Sequence, residues 1–409
     1  MLGWRWFTGL VLLCTAAAGH AADLEIGGFG TLSAYQGDSD VVAVRPRTTA
    51  LGSSRGGQWR FDGDTVLAVQ ARGTLNKELQ AVWQVQATDA VGYRFRPRTQ
   101  WLYLGWQPNP AWSLRLGRQP LAVLQHSETL NVGLARVTAR PMAAIYALTS
   151  NIPVDGANLA WSGDVAGGAL AVDVGGGHFN AKAEVGRVPG NVASLYARWR
   201  SGALTLRAGV SPSRLDLVNS SLPAQLAPLR APGGPCANCD LVFSERMQTE
   251  NINLRLYNVG LSWNLSGGWN LDGEAVRRTS SSLVLPSADG WYLLLSRRMD
   301  VLTPYVAYGE TRYRDRPLGL QASPGAPAQV AASLAALDQR LQQPLDRSIA
   351  VLGLRWFVHE QASLKLQLER WQATRDTRTP RNYEIVLPAG SENWSGRVHM
   401  LSVNLDFVF

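Results

Sequence analysis

Apolar and polar residues alternate at period two through most of this 409-residue chain, and that pattern decides what it can fold into. The last stretch shows it most clearly. Leu401, Val403, Leu405, Phe407 and Phe409 fall on one face of a strand, and Ser402, Asn404 and Asp406 on the other. With lipid against the greasy face and a water-filled lumen against the wet one, this is a transmembrane barrel strand. In lipid such a sheet must close on itself, so that no backbone group is left unpaired. A soluble sandwich can also end on an alternating strand, so the remaining segments have to decide.

Similar strands recur in pairs. Thr65 to Thr74 and Leu79 to Ala87 flank Asn76-Lys77-Glu78, and Gln100 to Gln107 and Trp112 to Arg118 flank Pro108-Asn109-Pro110. The pattern continues through short turns at Ser162-Gly163-Asp164, Ser201-Gly202, Ser266-Gly267-Gly268, Met299-Asp300 and His359-Glu360-Gln361. Long polar loops separate the pairs. The count is about sixteen strands, an even number in the range of bacterial barrels. Short turns at one end and long loops at the other suit periplasmic and extracellular ends, and a soluble all-β protein has no reason to sort its loops in this way. Three stretches resist assignment: Ile252 to Tyr257 changes phase, Trp291 to Arg298 alternates poorly, and Gly176 to Asn191 has room for a further strand. Val330, Leu334, Leu337 and Leu341 recur at helical spacing, which predicts a short amphipathic helix packed over the barrel mouth.

Residues 1–21 read as a secretory signal peptide, with Arg5, an apolar run from Trp6 to Ala18, and cleavage near 21/22 after Gly19-His20-Ala21. Residues 22–409 then form one barrel domain. No later apolar run reaches about 18 residues, so no helical span is expected. The formal charge is +8, but the arginines are dispersed and no lysine-rich block exists. That excludes a nucleic-acid-binding tail and places arginines round a lumen or rim. The tryptophans suit belts at two membrane interfaces. Cys236-Ala237-Asn238-Cys239 lacks the context of a redox helix and a second ligand pair for zinc, so a local disulfide is expected, with no metal site.

Asp62-Gly63-Asp64-Thr65-Val66-Leu67-Ala68-Val69-Gln70, Leu75-Asn76-Lys77-Glu78-Leu79, and Gln100-Trp101-Leu102-Tyr103-Leu104-Gly105-Trp106-Gln107 leading to Leu114-Arg115-Leu116-Gly117-Arg118 resemble proteobacterial outer-membrane porins. The terminal Phe409 resembles the ending that the outer-membrane assembly machinery reads in Gram-negative barrels. The resemblance implies a water-filled, usually trimeric, sixteen-stranded barrel in contact with outer-membrane lipid and lipopolysaccharide. It would admit small hydrophilic solutes without a cofactor, and its third long loop would fold inward. That loop is 119–154 by count. It carries Arg136, Arg140 and Glu128, and the adjoining wall adds Arg115 and Arg118. Arg72, Arg198, Arg200, Arg207 and Arg355 would face Asp173, Glu274, Glu369 and Asp406 across the lumen. The balance is basic, which predicts a mild preference for anions.

Other classes fit less well. His126-Ser127-Glu128 suggests a barrel hydrolase, yet besides His126 only His178, His359 and His399 follow the signal, and they assemble no nucleophile, base and orienter. The chain is therefore not expected to be an enzyme. A TonB-type receptor needs a plug before its barrel. A substrate-specific channel for small anions could use Tyr35, Trp101, Tyr103 and Tyr305. A barrel plugged by its own loops, chiefly 212–251, could serve as an adhesin or structural protein.

Overall fold

A computed structural model describes residues 23–48, 50–90, 94–149, 152–183, 186–218, 221–314, 317–341, 346–373, 385–386 and 394–409. The expected signal segment, 1–21, lies outside them. The barrel opens with β1 (Asp23–Gly37), β2 (Val66–Thr74), β3 (Leu79–Thr88), β4 (Arg98–Asn109), β5 (Trp112–Gln119), β6 (Val154–Val165), β7 (Gly168–Ala183) and β8 (Gly186–Ser201). It continues through β9 (Leu204–Leu215), β10 (Ile252–Asn264), β11 (Trp269–Ser280), β12 (Ala288–Arg297), β13 (Leu302–Tyr313), β14 (Arg347–His359), β15 (Ala362–Ala373) and β16 (Arg397–Val408). Each strand pairs antiparallel with the next, and β16 returns to β1, which closes the barrel. Gly176 to Asn191 holds no separate strand. It lengthens β7 and β8, which stay in register up to Ala183 opposite Gly186.

The two faces invert the rule for soluble proteins. Leu24, Ile26, Leu67, Leu104, Leu116, Val174, Leu352 and Leu366 are exposed on the outside, while Thr31, Ser33, Gln84, Gln367, Asn404 and Asp406 are buried inside. Lipid is the solvent that such an exterior fits. The outward tryptophans are unevenly placed. Trp106, Trp112, Trp161, Trp199, Trp263, Trp269 and Trp356 lie near the short-turn end, whereas the outward Trp83 sits mid-strand and Trp291 toward the long-loop end, so the tryptophans of the described strands gather mostly at one end.

The seam between β1 and β16 depends on glycine. A Cβ at Gly30 would stand 2.4 Å from the Phe407 ring, and one at Gly28 would stand 2.4 Å from the Phe409 ring. The two stacked rings, 6.3 Å apart, therefore lie over bare backbone on β1.

At the long-loop end, α1 (Ala143–Tyr146) lies in the third long loop, α2 (Leu222–Arg230) and α3 (Cys239–Arg246) in the fifth, and α4 (Ala328–Leu341) in the seventh. The helix predicted over Val330 to Leu341 is α4. It packs with the fifth loop in a small core of Leu226, Cys236, Cys239, Phe243, Leu318 and Leu334. Cys236 and Cys239 are disulfide-bonded there, with Cα atoms 5.5 Å apart. The Asp338 carboxylate accepts the N–H groups of Leu318 and Gly319 at 2.8 Å, which holds the seventh loop against its own helix.

Candidate constriction zone

The third long loop, residues 120–153, turns into the lumen, and the sequence supplies a partner for it on almost every strand it passes. Where it enters, Asn258 Nδ2 donates to Val123 O at 2.8 Å, and the Gln125 N–H donates to Glu274 at 3.0 Å. At its tip Lys365 Nζ donates to the carbonyls of Gly133, Arg136 and Thr138 at 2.8, 2.8 and 3.1 Å and pairs with Asp406 at 2.8 Å. Ala139 is held on both sides, its N–H by Gln367 and its carbonyl by Asn404. On the return, Thr311 and Arg278 donate to the carbonyls of Ala144 and Leu148. Gly290 permits this approach, since a Cβ there would stand 2.4 Å from Ala144 O.

Apolar contacts complete the attachment. Ala144, Ile145 and Leu148 pack against Leu256 of β10, Tyr292 and Leu294 of β12, Ala307 of β13 and Val351 of β14. This second core accounts for the two ambiguous registers. β10 keeps its pairing throughout, but its upper inward positions, Ile252 and Leu256, are apolar because they meet loops inside the barrel. β12 is apolar on both faces for the same reason.

The predicted charges therefore divide into two groups. Arg136 and Arg140 are 8% and 2% exposed and lie in the joint between loop and wall. Arg136 donates to Leu130 O at 2.6 Å and Ala139 O at 3.1 Å. Arg140 meets Asp64 at 2.7 Å, Ser402 at 2.6 Å, and Glu369. Burial opposes the charge on Arg140, but Glu369 and Asp64 outweigh it and hold the guanidinium more firmly protonated than usual. Burial likewise works against the Asp64 carboxylate, and Arg140 with Arg47 still brings its pKa below the ordinary value. Arg355 also serves the loop, donating to Leu134 O at 2.9 Å.

Arg115, Arg198 and Arg207 stand on the opposite wall. With Glu128, Asp173, Tyr196 and Gln125 they line a space of about 300 Å³. Arg115 pairs with Glu128 at 2.8 Å and lies 5.9 Å from the Tyr103 ring centre. Arg207 donates to Ser262 at 3.0 Å, and Arg198 is exposed. Arg72 sits nearer the short turns, 3.7 Å from Glu25. Arg118 is corrected by the structure: it follows Leu116 at period two onto the outer surface, where it pairs with Asp155 at 2.7 Å. Tyr35 and Tyr305 point inward but are buried in the packed interior, at 0% and 2% exposed.

His126, Ser127 and Glu128 serve three separate ends. Burial, with Arg136, Arg207 and Lys365 nearby, pushes the His126 pKa down to about 4, so the ring is neutral at pH 7. Ser127 Oγ accepts the Leu124 N–H at 2.8 Å, and Glu128 pairs with Arg115. Sequence reasoning missed Lys365 and the role of Asp64. The available signal was a lysine at an inward position between Ser363 and Gln367, where a charge in a strand needs a partner.

The class defined by these features is a closed, sixteen-stranded antiparallel transmembrane barrel of the outer-membrane porin fold, with an inward third loop. Among solved structures it is similar to a loop-deletion mutant of OmpT, an outer membrane protein of Vibrio cholerae, at 11% identity and TM-score 0.54, over 95% of this chain and 100% of that one. An anion-selective porin from Comamonas acidovorans matches at 13% identity and TM-score 0.52, over 95% and 100%. The outer membrane channel DcaP of Acinetobacter baumannii matches at 11% and 0.53, over 94% and 97%. No protein-family model matches the chain, and no curated protein matches it by sequence.

Proposed function

We propose that this chain is an outer-membrane channel for passive diffusion of small hydrophilic solutes, with a mild preference for anions. The observation that carries the reading is the division of the lumen. The third loop is fixed to one wall, and the space beside the other is lined by Arg115, Arg198 and Arg207 against Glu128 and Asp173. Three guanidiniums facing two carboxylates bias the field toward anions, with no dedicated binding chemistry. Arg136 and Arg140 contribute through the position of the loop rather than as free charges. Export by segment 1–21, assembly through Phe409 and association as a homotrimer belong to the same proposal, as implied by the resemblance.

The test is single-channel recording of refolded protein in a planar bilayer across a KCl gradient. Stepwise conductance with an anion-leaning reversal potential is expected, and a silent membrane containing folded protein sinks the channel reading. Silence would favour a plugged barrel, which one observation supports: the fifth and seventh loops share a disulfide-braced core at the long-loop end.

A further inference from the structure

Two buried cations face each other at the tip of the third loop. Lys365 of β15 and Arg355 of β14 stand directly opposite one another on the inward side of the wall. Like charges so placed repel and destabilise a sheet. The loop offsets this repulsion. The carbonyls of Gly133, Arg136 and Thr138 end on Lys365 Nζ, and that of Leu134 ends on Arg355. An ammonium has three N–H donors, so these carbonyls take up its directional bonding while Asp406, 2.8 Å away, supplies the countercharge. The tip of the loop is wrapped round a cation that belongs to the wall.

The seat for this tip is built from strands that meet only when the barrel closes. Asp406, on β16, accepts the Thr31 hydroxyl of β1 at 2.6 Å. Gly133 rests on that pair: a Cβ there would collide with the Asp406 carboxylate and stand 2.7 Å from Thr31 Oγ1. Val132, the residue before it, packs on Phe29 of β1 with Val66 and Ala68 of β2. An open sheet keeps Lys365 and Asp406 together on β15 and β16, but Thr31 and Phe29 are then elsewhere.

We infer that Lys365 is the positioning residue of the constriction loop, a tethered cation round which residues 133–138 fold. Closure of the seam between β1 and β16 completes its seat, so loop insertion and barrel closure are one event. The position requires charge and N–H donation together, because without them the loop carbonyls are left buried and unpaired. Where the loop sits does not depend on conduction. That a seated loop narrows a channel rests on the reading proposed above.

The test is limited trypsin digestion of the full refolded protein in neutral detergent, read by mass. Arg136 and Arg140 are the basic residues of the loop, and Arg140 precedes Pro141, so cleavage at Arg136–Val137 reports on the tip. Lys365→Met with Asp406→Asn removes the two charges as a pair, and folding is checked by gel mobility with and without heating. We expect wild-type mobility but cleavage faster by about tenfold or more, since several charge-assisted bonds are lost. In Lys365→Ala, methylammonium should restore protection, whereas tetramethylammonium, equally charged but without an N–H, should not. During refolding of the wild type, protection should appear together with the compact gel band. Wild-type protection in the double variant, equal protection in the two salts, or protection that precedes the compact band overturns the inference. Should the double variant fail to fold, the salt comparison and the wild-type time course decide. Wild-type protein that is protected yet silent in bilayers sinks the channel reading and leaves the seat standing.

Discussion

The two walls of the lumen are made from the same kind of strand and do opposite work. On β10 to β16 the inward positions are consumed by the third loop, where Tyr292, Leu294 and Val351 take up its apolar side and Lys365, Gln367, Glu369 and Asn404 take up its polar groups. On β5 to β9 the inward Arg115, Arg198 and Arg207 border free space. An arginine in a barrel therefore acts as a fastener or as a field source, depending on whether a carboxylate and a carbonyl reach it first.

The hardest way to break this contrast is to unfasten the loop. Arg140→Ala leaves Glu369 buried without its cation and Asp64 with Arg47 alone, a loss of about 3–5 kcal/mol for a buried pair. We expect residues 120–153 to become accessible to protease and single-channel conductance to rise or turn noisy, with the barrel still folded. Conductance and protection identical to wild type would show that the loop is held without Arg140.

A subtler change sharpens the comparison from the other side. Arg198→Glu with Arg207→Glu should bring the reversal potential to cation preference while leaving loop protection at the wild-type level. An unmoved potential would mean that the conducting path avoids this wall. Last and smallest is the Cys236→Ser, Cys239→Ser pair. A disulfide closing so short a loop stabilises by about 2 kcal/mol in the chain-entropy picture. Faster hydrogen exchange in the fifth loop is expected, with conductance unchanged, and a lower conductance would tie the outer loops to the lumen.

The barrel was legible because lipid on one side and water on the other impose period two on every strand, and the short turns punctuate it. Legibility failed where a third surface intervened. Ile252 and Leu256 read as a phase error because their inward neighbours include third-loop residues, Leu121 and Ile145, more than a hundred positions earlier in the chain. Arg136 and Arg140 announced a charge but not its partners: Glu369 is 229 residues from Arg140, a separation that no local pattern encodes. Arg118 needed only stricter use of the alternation that placed Leu116 outside.

The glycine-backed seam also has a consequence in time. The fifteen other strand-to-strand contacts could form between neighbours in the chain, but β1 and β16 meet across nearly its whole length, as in the 2.6 Å bond from Thr31 to Asp406. Loop-closure entropy places so distant a pairing late. Until then β1 keeps a bare glycine track and β16 an unseated pair of rings. The final step of folding is thus the docking of Phe407 and Phe409 onto Gly30 and Gly28, a latch that only a completed sheet can engage.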